Sequence, residues 1–501
     1  MRLSLCNTEK GRRAFMEELQ MASPESLGIP SGNFLEFYRQ LAINKLPLHH
    51  FIFLRHGRIA SMGSWYPYTS QMNHIMYSTS KTITSLAIGL CVDEGLLDLD
   101  CHIVDFFPEL ITGPLHPYNK MRTIRHLLTM QGGETGDASS IDRSYPNWLK
   151  SYLNTPPRVK PGTLYGYDNS GTHTLAAIVQ KVTGKKMVEY LNEKLFVHMG
   201  ITGVYWEEQM GINTGSRGFH CKIQDIAKIA LLIHQKGMWD GKRIISNEWL
   251  EEAIRSHVEV THFTSYVDGN PGYGYQFWRY RNGAYGSKGH GGQMFIICPD
   301  TDIIWAFQGN LEDGYGHLTE VVHLAWPLLF KNISDTPLPE NRQILGHLRE
   351  MENGLQMPMP KGLREPSRRE GTIVGKTYEV AKNSSQIHSM AINQIDNGLK
   401  FIFTLGINND RWEIEAWYND WKEQEITVTQ DYGWARYVWR NEHVMECIIL
   451  LREKLGSYHL IIYADDDNGL SIDLYPVGWR DFNRLSLFGM AYCREGNIED
   501  I

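Results

Sequence analysis

Two apolar runs flank Gly57 in Phe51-Ile-Phe-Leu-Arg-His-Gly-Arg-Ile-Ala-Ser-Met-Gly63, a pattern that predicts a β-hairpin. From Ser78 to about Gly95 the period changes. Ile83, Leu86, Ala87 and Leu90 recur at helical spacing and Leu86–Val92 is apolar on nearly every face, predicting a buried central helix that stops at Gly95. Further helices are predicted around Met121–Met130, Gly171–Thr183 (Leu175, Ile178, Val179, Val182), Ile223–His234 and Val321–Phe330. Between them, Tyr273–Asn310 reads as an antiparallel meander. Its apolar runs Tyr273–Tyr280, Met294–Cys298 and Ile303–Phe307 are separated by Arg281-Asn-Gly283 and Pro299-Asp-Thr-Asp302. Hairpins early and late with helices between them predict an α+β fold in three layers, helix/antiparallel sheet/helix, rather than a Rossmann alternation.

Beyond Phe330 the text changes character. A Pro-containing stretch, Asn332 to Pro339, leads to a short helix and then to the Pro- and Arg-rich segment Met357-Pro-Met-Pro-Lys-Gly-Leu-Arg-Glu-Pro-Ser-Arg-Arg369. The alternation in Trp412-Glu-Ile-Glu-Ala-Trp417, with turns at Asp396-Asn-Gly398 and Asp467-Asn-Gly469, then predicts a smaller, all-β and barrel-like domain. The organisation expected is residues 1–335 as the first domain, 336–370 as a linker with its helix, and 371–501 as an antiparallel β-domain.

Charge narrows the partners. Lys and Arg number 49 against 57 Asp and Glu, with no block of one sign, so nothing steers the chain toward nucleic acid or an anionic membrane. Neither a secretory leader nor an apolar run of about 18 residues is evident, and a cytoplasmic location is the expectation. Seven cysteines without a C-x-x-C spacing argue against a disulfide framework or a zinc site; most are expected to be buried thiols. Asp465-Asp-Asp-Asn-Gly469 misses the spacing of a calcium loop and reads as a charged turn.

Three segments could carry chemistry. In Ser78-Thr79-Ser80-Lys81 a serine at a helix N-terminus and a lysine three residues on share one face, so the amine can reach Ser78 Oγ and the helix dipole favours developing negative charge. The same four residues also fit an N-cap serine and a surface lysine, but no other serine of the chain has a lysine at that spacing. In Tyr165-Gly-Tyr167-Asp-Asn169-Ser-Gly171, a phenol beside a cationic lysine could move protons, and the Asn169 amide could donate to a substrate carbonyl and accept from the lysine. A Gly/Asn turn with a packed tyrosine is the plainer alternative. In Lys288-Gly-His290-Gly-Gly292-Gln293 the glycines let a substrate approach the backbone, where a main-chain N–H could serve an oxyanion hole; a glycine-rich bulge is the alternative. Tyr273, Tyr275, Phe277, Trp278 and Tyr280 fit sheet packing or an acyl pocket, and His74 and His220 read as structural.

In this order the three elements resemble the serine β-lactamase and penicillin-binding-protein superfamily, in its class C-like (CubicO-type) branch of esterases, D-amino-acid peptidases and amide hydrolases. The flanking text agrees, in His74-Ile-Met-Tyr-Ser-Thr-Ser-Lys81, Asp93-Glu-Gly-Leu-Leu-Asp-Leu-Asp100, Thr123-Ile-Arg-His-Leu-Leu-Thr-Met130 and Gly237-Met-Trp-Asp-Gly-Lys-Arg-Ile-Ile-Ser246. The resemblance implies Ser78 as nucleophile of an acyl-enzyme, Lys81 as its proton acceptor or electrostatic partner, and Tyr167 in proton transfer to the leaving group and from the deacylating water. It implies Asn169, His290, Gly292 and Gln293 as substrate-binding residues, with the N–H groups of Ser78 and Gln293 as the oxyanion hole. No metal or organic cofactor is implied.

One departure matters. Where classical members of the superfamily carry lysine this chain has His290, largely neutral at pH 7, so the fixed charge for a β-lactam or peptide carboxylate is weakened; Lys288, if on the same strand, would face the same side and could restore it. The expected activity is that of a serine hydrolase cleaving an amide, peptide or ester bond of a small molecule or short peptide. The alternatives are a β-lactamase or DD-peptidase-like enzyme, a silent ligand-binding scaffold, and a binding protein whose function resides in the β-domain. Oligomeric state is left open.

Overall fold

The computed structural model describes residues 18–134, 147–260, 268, 272–311, 316–383, 385–406, 410–427, 429, 431–464, 469–477 and 487–493. The chain divides into two compact units. One takes in Thr69–Gly309 together with the segments ending at Ser64 and Leu355; the other takes in Trp65–Tyr68 and the chain from Gln356 onward.

The first unit is built on an eight-stranded antiparallel sheet whose spatial order brings the early hairpin beside the late meander. Its strands run Val258–Glu259, Gly272–Tyr273, Trp278–Arg279, Tyr285–Gly289, Gln293–Cys298, Ile303–Gly309, Leu48–Arg55 and Arg58–Ser64. Alternation sorts its side chains. Phe51, Phe53 and Trp305 meet Phe37, Phe34 and Trp326 of helices Ser31–Ile43 and Gly316–Leu329 on one face. Ile52, Leu54, Phe295, Ile297, Ile304 and Ala306 enter the main core with helices Ser80–Asp93 and Ile223–His234 on the other. The three expected layers are therefore present. Helix Arg342–Asn353 also packs in this unit, through Glu352 to Ser61 Oγ at 2.6 Å and Arg349 to the carbonyls of Ala22 and Ala60.

Helix Ser80–Asp93 is buried nearly all round, as its apolar text predicts, and Gly95 follows in the left-handed region at φ 69°. Gly89 lets it lie against Trp249, whose Nε1 would be 2.3 Å from an added Cβ. Two expected elements are subdivided. Met121–Met130 becomes Pro117–Met121 and Ile124–Leu128, because Thr123 turns extended and caps the second helix in a reciprocal box with His126. The run Tyr273–Tyr280 is broken by Gln276 at φ 65°, whose side chain donates to the Leu127 and Leu128 carbonyls and pins this edge to the end of helix Ile124–Leu128.

The second unit carries a ten-stranded sheet in which strand Asp410–Tyr418, at one end of the order, also runs parallel to Asp431–Trp439 near the other. The sheet is thus curled and half-barrel-like. Trp412, Ile414 and Ala416 point inward by the alternation read from the sequence, joining Phe401, Phe403, Trp439, Ile449 and Ile462 in a separate core. Asp396-Asn-Gly398 makes the expected turn between strands Ile387–Ile395 and Gly398–Leu405, while Asp465–Asn468 lie outside the described residues. Cys91, Cys221, Cys298 and Cys447 are buried free thiols and Cys101 is an exposed one; no helix of the described residues is long and apolar enough to cross a membrane.

A histidine group buried near the first hairpin makes stability depend on pH. His49 Nδ1 lies 2.8 Å from His74 Nε2, and His50 Nδ1 lies 2.9 Å from Ser64 Oγ. Burial holds His49 and His50 well below the ordinary imidazole value, and the neighbouring histidines push the same way. Both are thus neutral when folded, whereas the unfolded chain takes up their protons below about pH 6.5, so the stability they confer is present above that pH and lost as pH falls below it. Each should contribute a slope of up to about 1.4 kcal/mol per pH unit in that region. Urea denaturation at pH 7.0 and 5.5 should therefore show a lower midpoint at the acid pH, with a smaller difference in His50→Gln. An unchanged midpoint would exclude this linkage.

Candidate active site

The site is assembled where the central helix meets the edge of the sheet. Tyr77 adopts φ 41°, an uncommon conformation for a residue with a side chain, and begins the short 3-10 turn Tyr77–Thr79 that carries Ser78 into helix Ser80–Asp93. The turn is tied down on both sides. Met76 N–H donates to the Phe219 carbonyl at 2.7 Å, and Thr79 Oγ1 donates to the Gln293 carbonyl at 2.8 Å and meets the Ser287 hydroxyl at 3.0 Å.

Lys81, only 1% exposed, is the hub. Its Nζ donates to Ser78 Oγ at 3.2 Å, to Asn169 Oδ1 at 2.7 Å and to the Ser216 carbonyl at 2.9 Å, and it stands 4.7 Å from the centre of the Tyr167 ring. A surface lysine, the plainer alternative for this string, is excluded by that burial. Asn169 reaches Lys81 because it is the first residue of helix Asn169–Thr183, whose N-cap Asp168 accepts from the N–H groups of Ser170 and Gly171 at 2.9 and 3.0 Å. Asp168 turns away from the site and also accepts from Tyr152 Oη at 2.6 Å; burial raises its carboxyl above the ordinary value. Tyr167 and Asn169 therefore flank a residue anchored in the interior. Gly171 completes the anchor, since a Cβ there would lie 2.7 Å from Asp168 Oδ2.

The glycine-rich element forms a hairpin turn between strands Tyr285–Gly289 and Gln293–Cys298, with Gly291 and Gly292 at φ 68° and 98°. Gly289 passes so close to the segment leading into the Tyr77–Thr79 turn that an added Cβ would stand 2.5 Å from the Met76 carbonyl oxygen. Gln293 directs its side chain to the carbonyls of His290 and Gly309, which fixes the turn. His290 is half-buried and meets the Tyr77 ring edge-on at 6.0 Å. Lys288 lies on the strand whereas His290 lies in the turn, so the strand-parity expectation does not carry over. The Lys288 ammonium instead lies 4.0 Å from the centre of the Trp278 ring, which stacks on Tyr167 at 6.4 Å, and burial lowers its value to about 7. Among the aromatic residues, Trp278 thus borders the site while Tyr275 and Phe277 join the main core. His74 and His220 sit in paired strands, bonded to His49 and to Tyr205 Oη.

A family model described as Beta-lactamase matches residues 50–321, more than half of the chain. The chain belongs to the beta-lactamase family. Residues Ser78, Lys81, Tyr167, Asn169, His290, Gly292 and Gln293 all fall within the matched stretch. Among curated relatives of this family protein, the 6-aminohexanoate-dimer hydrolase of Paenarthrobacter ureafaciens is 25% identical over 255 residues, covering 46% of this chain and 64% of that one. Lovastatin esterase of Penicillium rubens is 28% identical over 181 residues, covering 30% of this chain and 45% of that one. The chain thus spans less than two thirds of the length of either relative. A penicillin-binding-protein homologue from Caulobacter crescentus shares the fold at TM-score 0.50 and 17% identity, over 62% of this chain and 100% of that one.

Two parts of the site have no mark in the sequence. The Ser216 carbonyl, an acceptor of Lys81, is backbone and leaves no residue signature. Tyr77 precedes the Ser78 motif, and no neighbouring residue marks its φ of 41°. Gly215 and Gly218, at φ 49° and 79°, are the local sign of a constrained turn around Ser216.

Proposed function

We propose that the protein is a serine hydrolase that cleaves an ester, amide or peptide bond of a small substrate through an acyl-enzyme on Ser78. The observation that carries this reading is the buried Lys81 ammonium joining Ser78 Oγ, Asn169 Oδ1 and the Ser216 carbonyl. In this reading Ser78 Oγ attacks the substrate carbonyl while its proton passes to the one base site of the Lys81–Tyr167 pair, either a neutral Lys81 amine or a Tyr167 phenolate beside the Lys81 ammonium, and the N–H groups of Ser78 and Gln293 receive the oxyanion. Collapse of the tetrahedral intermediate releases the leaving group with that proton. Water then gives up a proton to the same pair, attacks the acyl carbon and frees the acid, restoring Ser78. Asn169 orients the substrate carbonyl and Lys81, and His290 and Gly292 border the substrate. The 6-aminohexanoate-dimer hydrolase and the lovastatin esterase among the relatives support this class, and His290 in place of a lysine favours a CubicO-type peptidase, amidase or esterase over a β-lactamase.

Mass spectrometry of the intact protein after exposure to a fluorophosphonate tests the reading. One adduct is expected on the wild type and none on Ser78→Ala. Folded wild type that takes up no reagent would refute an activated Ser78.

A further inference from the structure

Next to the Ser216 carbonyl that accepts from Lys81 lies a group of side chains that the acyl-transfer reading does not use. Gly215-Ser216-Arg217-Gly218 is a tight turn: a Cβ on Gly215 would lie 2.6 Å from the Thr172 carbonyl oxygen, and one on Gly218 would lie 2.6 Å from Thr214 Oγ1. The Arg217 carbonyl is clamped by Trp206 Nε1 at 2.6 Å and Thr214 Oγ1 at 2.7 Å. Its backbone is therefore fixed, one residue from the carbonyl that holds Lys81.

The side chain is treated differently. The Arg217 guanidinium lies over the Trp148 ring, 5.3 Å from its centre, and among the described residues no carboxylate pairs with it. Trp148 in turn meets His173 edge-on at 5.7 Å. His173 is four residues after Asn169 in the same helix, so the two share a face and the Trp148–Arg217 pair stands on the Asn169 side of the site. The charge is felt there: burial first, then Arg217, lowers His173 to about 4. Two donors in this group, Arg217 Nε and Trp148 Nε1, are buried and have no acceptor among the described residues.

Buried N–H groups without acceptors are costly, and a cation that carries one such group beside a second on Trp148 matches an acceptor with negative charge. We propose that Arg217 and Trp148 form an anion-binding subsite of the Ser78 centre, and that the preferred substrate carries a carboxylate beyond its scissile bond. This rests on the hydrolase reading and narrows its substrate class. The guanidinium can grip a carboxylate through two parallel N–H bonds, and the indole beneath both holds the guanidinium plane and supplies a further donor. The subsite would supply a positive charge by a residue remote in sequence from the glycine-rich turn, where His290 supplies none when neutral.

A matched pair of substrates tests this. The p-nitrophenyl monoester of glutaric acid carries a terminal carboxylate at neutral pH and p-nitrophenyl butyrate does not. The wild type should favour the charged ester in kcat/KM, mainly through KM, and the preference should shrink as salt rises. In Arg217→Gln the ratio of the two kcat/KM values should fall at least tenfold, and Arg217→Lys should restore part of it. An unchanged ratio in Arg217→Gln, or no preference in the wild type, would overturn the subsite while leaving the hydrolase reading intact. Failure of wild type to cleave either ester, together with no fluorophosphonate adduct, would remove the hydrolase reading and the subsite with it.

Discussion

Replacing Lys81 by methionine is expected to lower kcat/KM for p-nitrophenyl acetate by about 10³–10⁴-fold with Ser78 still in place. Methionine approximates the length of the lysine stem but has no N–H to offer Ser78 Oγ, Asn169 Oδ1 or the Ser216 carbonyl, the three acceptors that Lys81 Nζ now serves. Two losses combine. Ser78 loses the group proposed to accept its proton or to ease its ionisation, and Asn169 loses the partner that fixes its amide. The site is buried, so acceptors left without donors add about 1–3 kcal/mol each to the cost of folding. Circular dichroism and urea denaturation therefore accompany the kinetics, separating a folded but slow enzyme from an unfolded one. Activity within tenfold of wild type would show that Lys81 is not in the proton path. Because Lys81 and Tyr167 lie against one another, a pH–rate profile of the wild type should report apparent values of the cluster.

The largest loss of stability is expected away from the reacting atoms. Arg122 is fully buried and donates to the Gly132 carbonyl at 2.9 Å, the Tyr152 carbonyl at 2.9 Å and Glu134 Oε1 at 2.8 Å, with its guanidinium 4.3 Å from the Tyr152 ring centre. Tyr152 links it to Asp168, and its charge also favours the ionised form of that carboxylate. Arg122→Met would leave Glu134 and Asp168 as buried carboxylates without their cation, a change that costs about 3–5 kcal/mol. Urea denaturation should show that loss, and Arg122→Met combined with Glu134→Gln should recover part of it, because the second change removes a stranded charge. A loss below about 1 kcal/mol would mean that the two acids protonate or find water instead. Hydrolysis should fall as well, since Asp168 holds the helix start that presents Tyr167 and Asn169.

The clamp around Asp168 also explains how a turn of ordinary composition comes to present two side chains to Lys81. A Tyr-Asp-Asn-Ser-Gly string fits many loops. Here Asp168 faces inward to cap its helix while its neighbours face Lys81, so one buried carboxylate positions both. The hairpin turn at His290–Gly292 is positioned in the same indirect way, through Thr79 to Gln293 and through the bare backbone of Gly289. Tyr167, Asn169 and the His290–Gly292 turn are thus positioned by groups that lie outside the Lys81 cluster.

What the sequence determined by itself was whatever a few neighbouring residues encode. Hydrophobic period located the early hairpin, the buried helix after Ser78 and the inward face of Trp412, Ile414 and Ala416, because periods of 2 and 3.6 are properties of single elements. Helix geometry likewise put Lys81 on the face of Ser78, and the order of three short motifs pointed to the fold. Where a run of aromatics such as Tyr273–Tyr280 is broken, local text failed, since the break answers to Leu127 and Leu128 from a distant helix. The Asn169 amide as an acceptor of Lys81 was legible in the sequence, whereas the Ser216 carbonyl as its third acceptor, the stacking of Lys288 on Trp278 and the meeting of Arg217 with Trp148 were decided only by the tertiary structure. They depend on which segments pack together, and a backbone carbonyl or an unpaired guanidinium has no distinguishing text until the fold brings its neighbours to it.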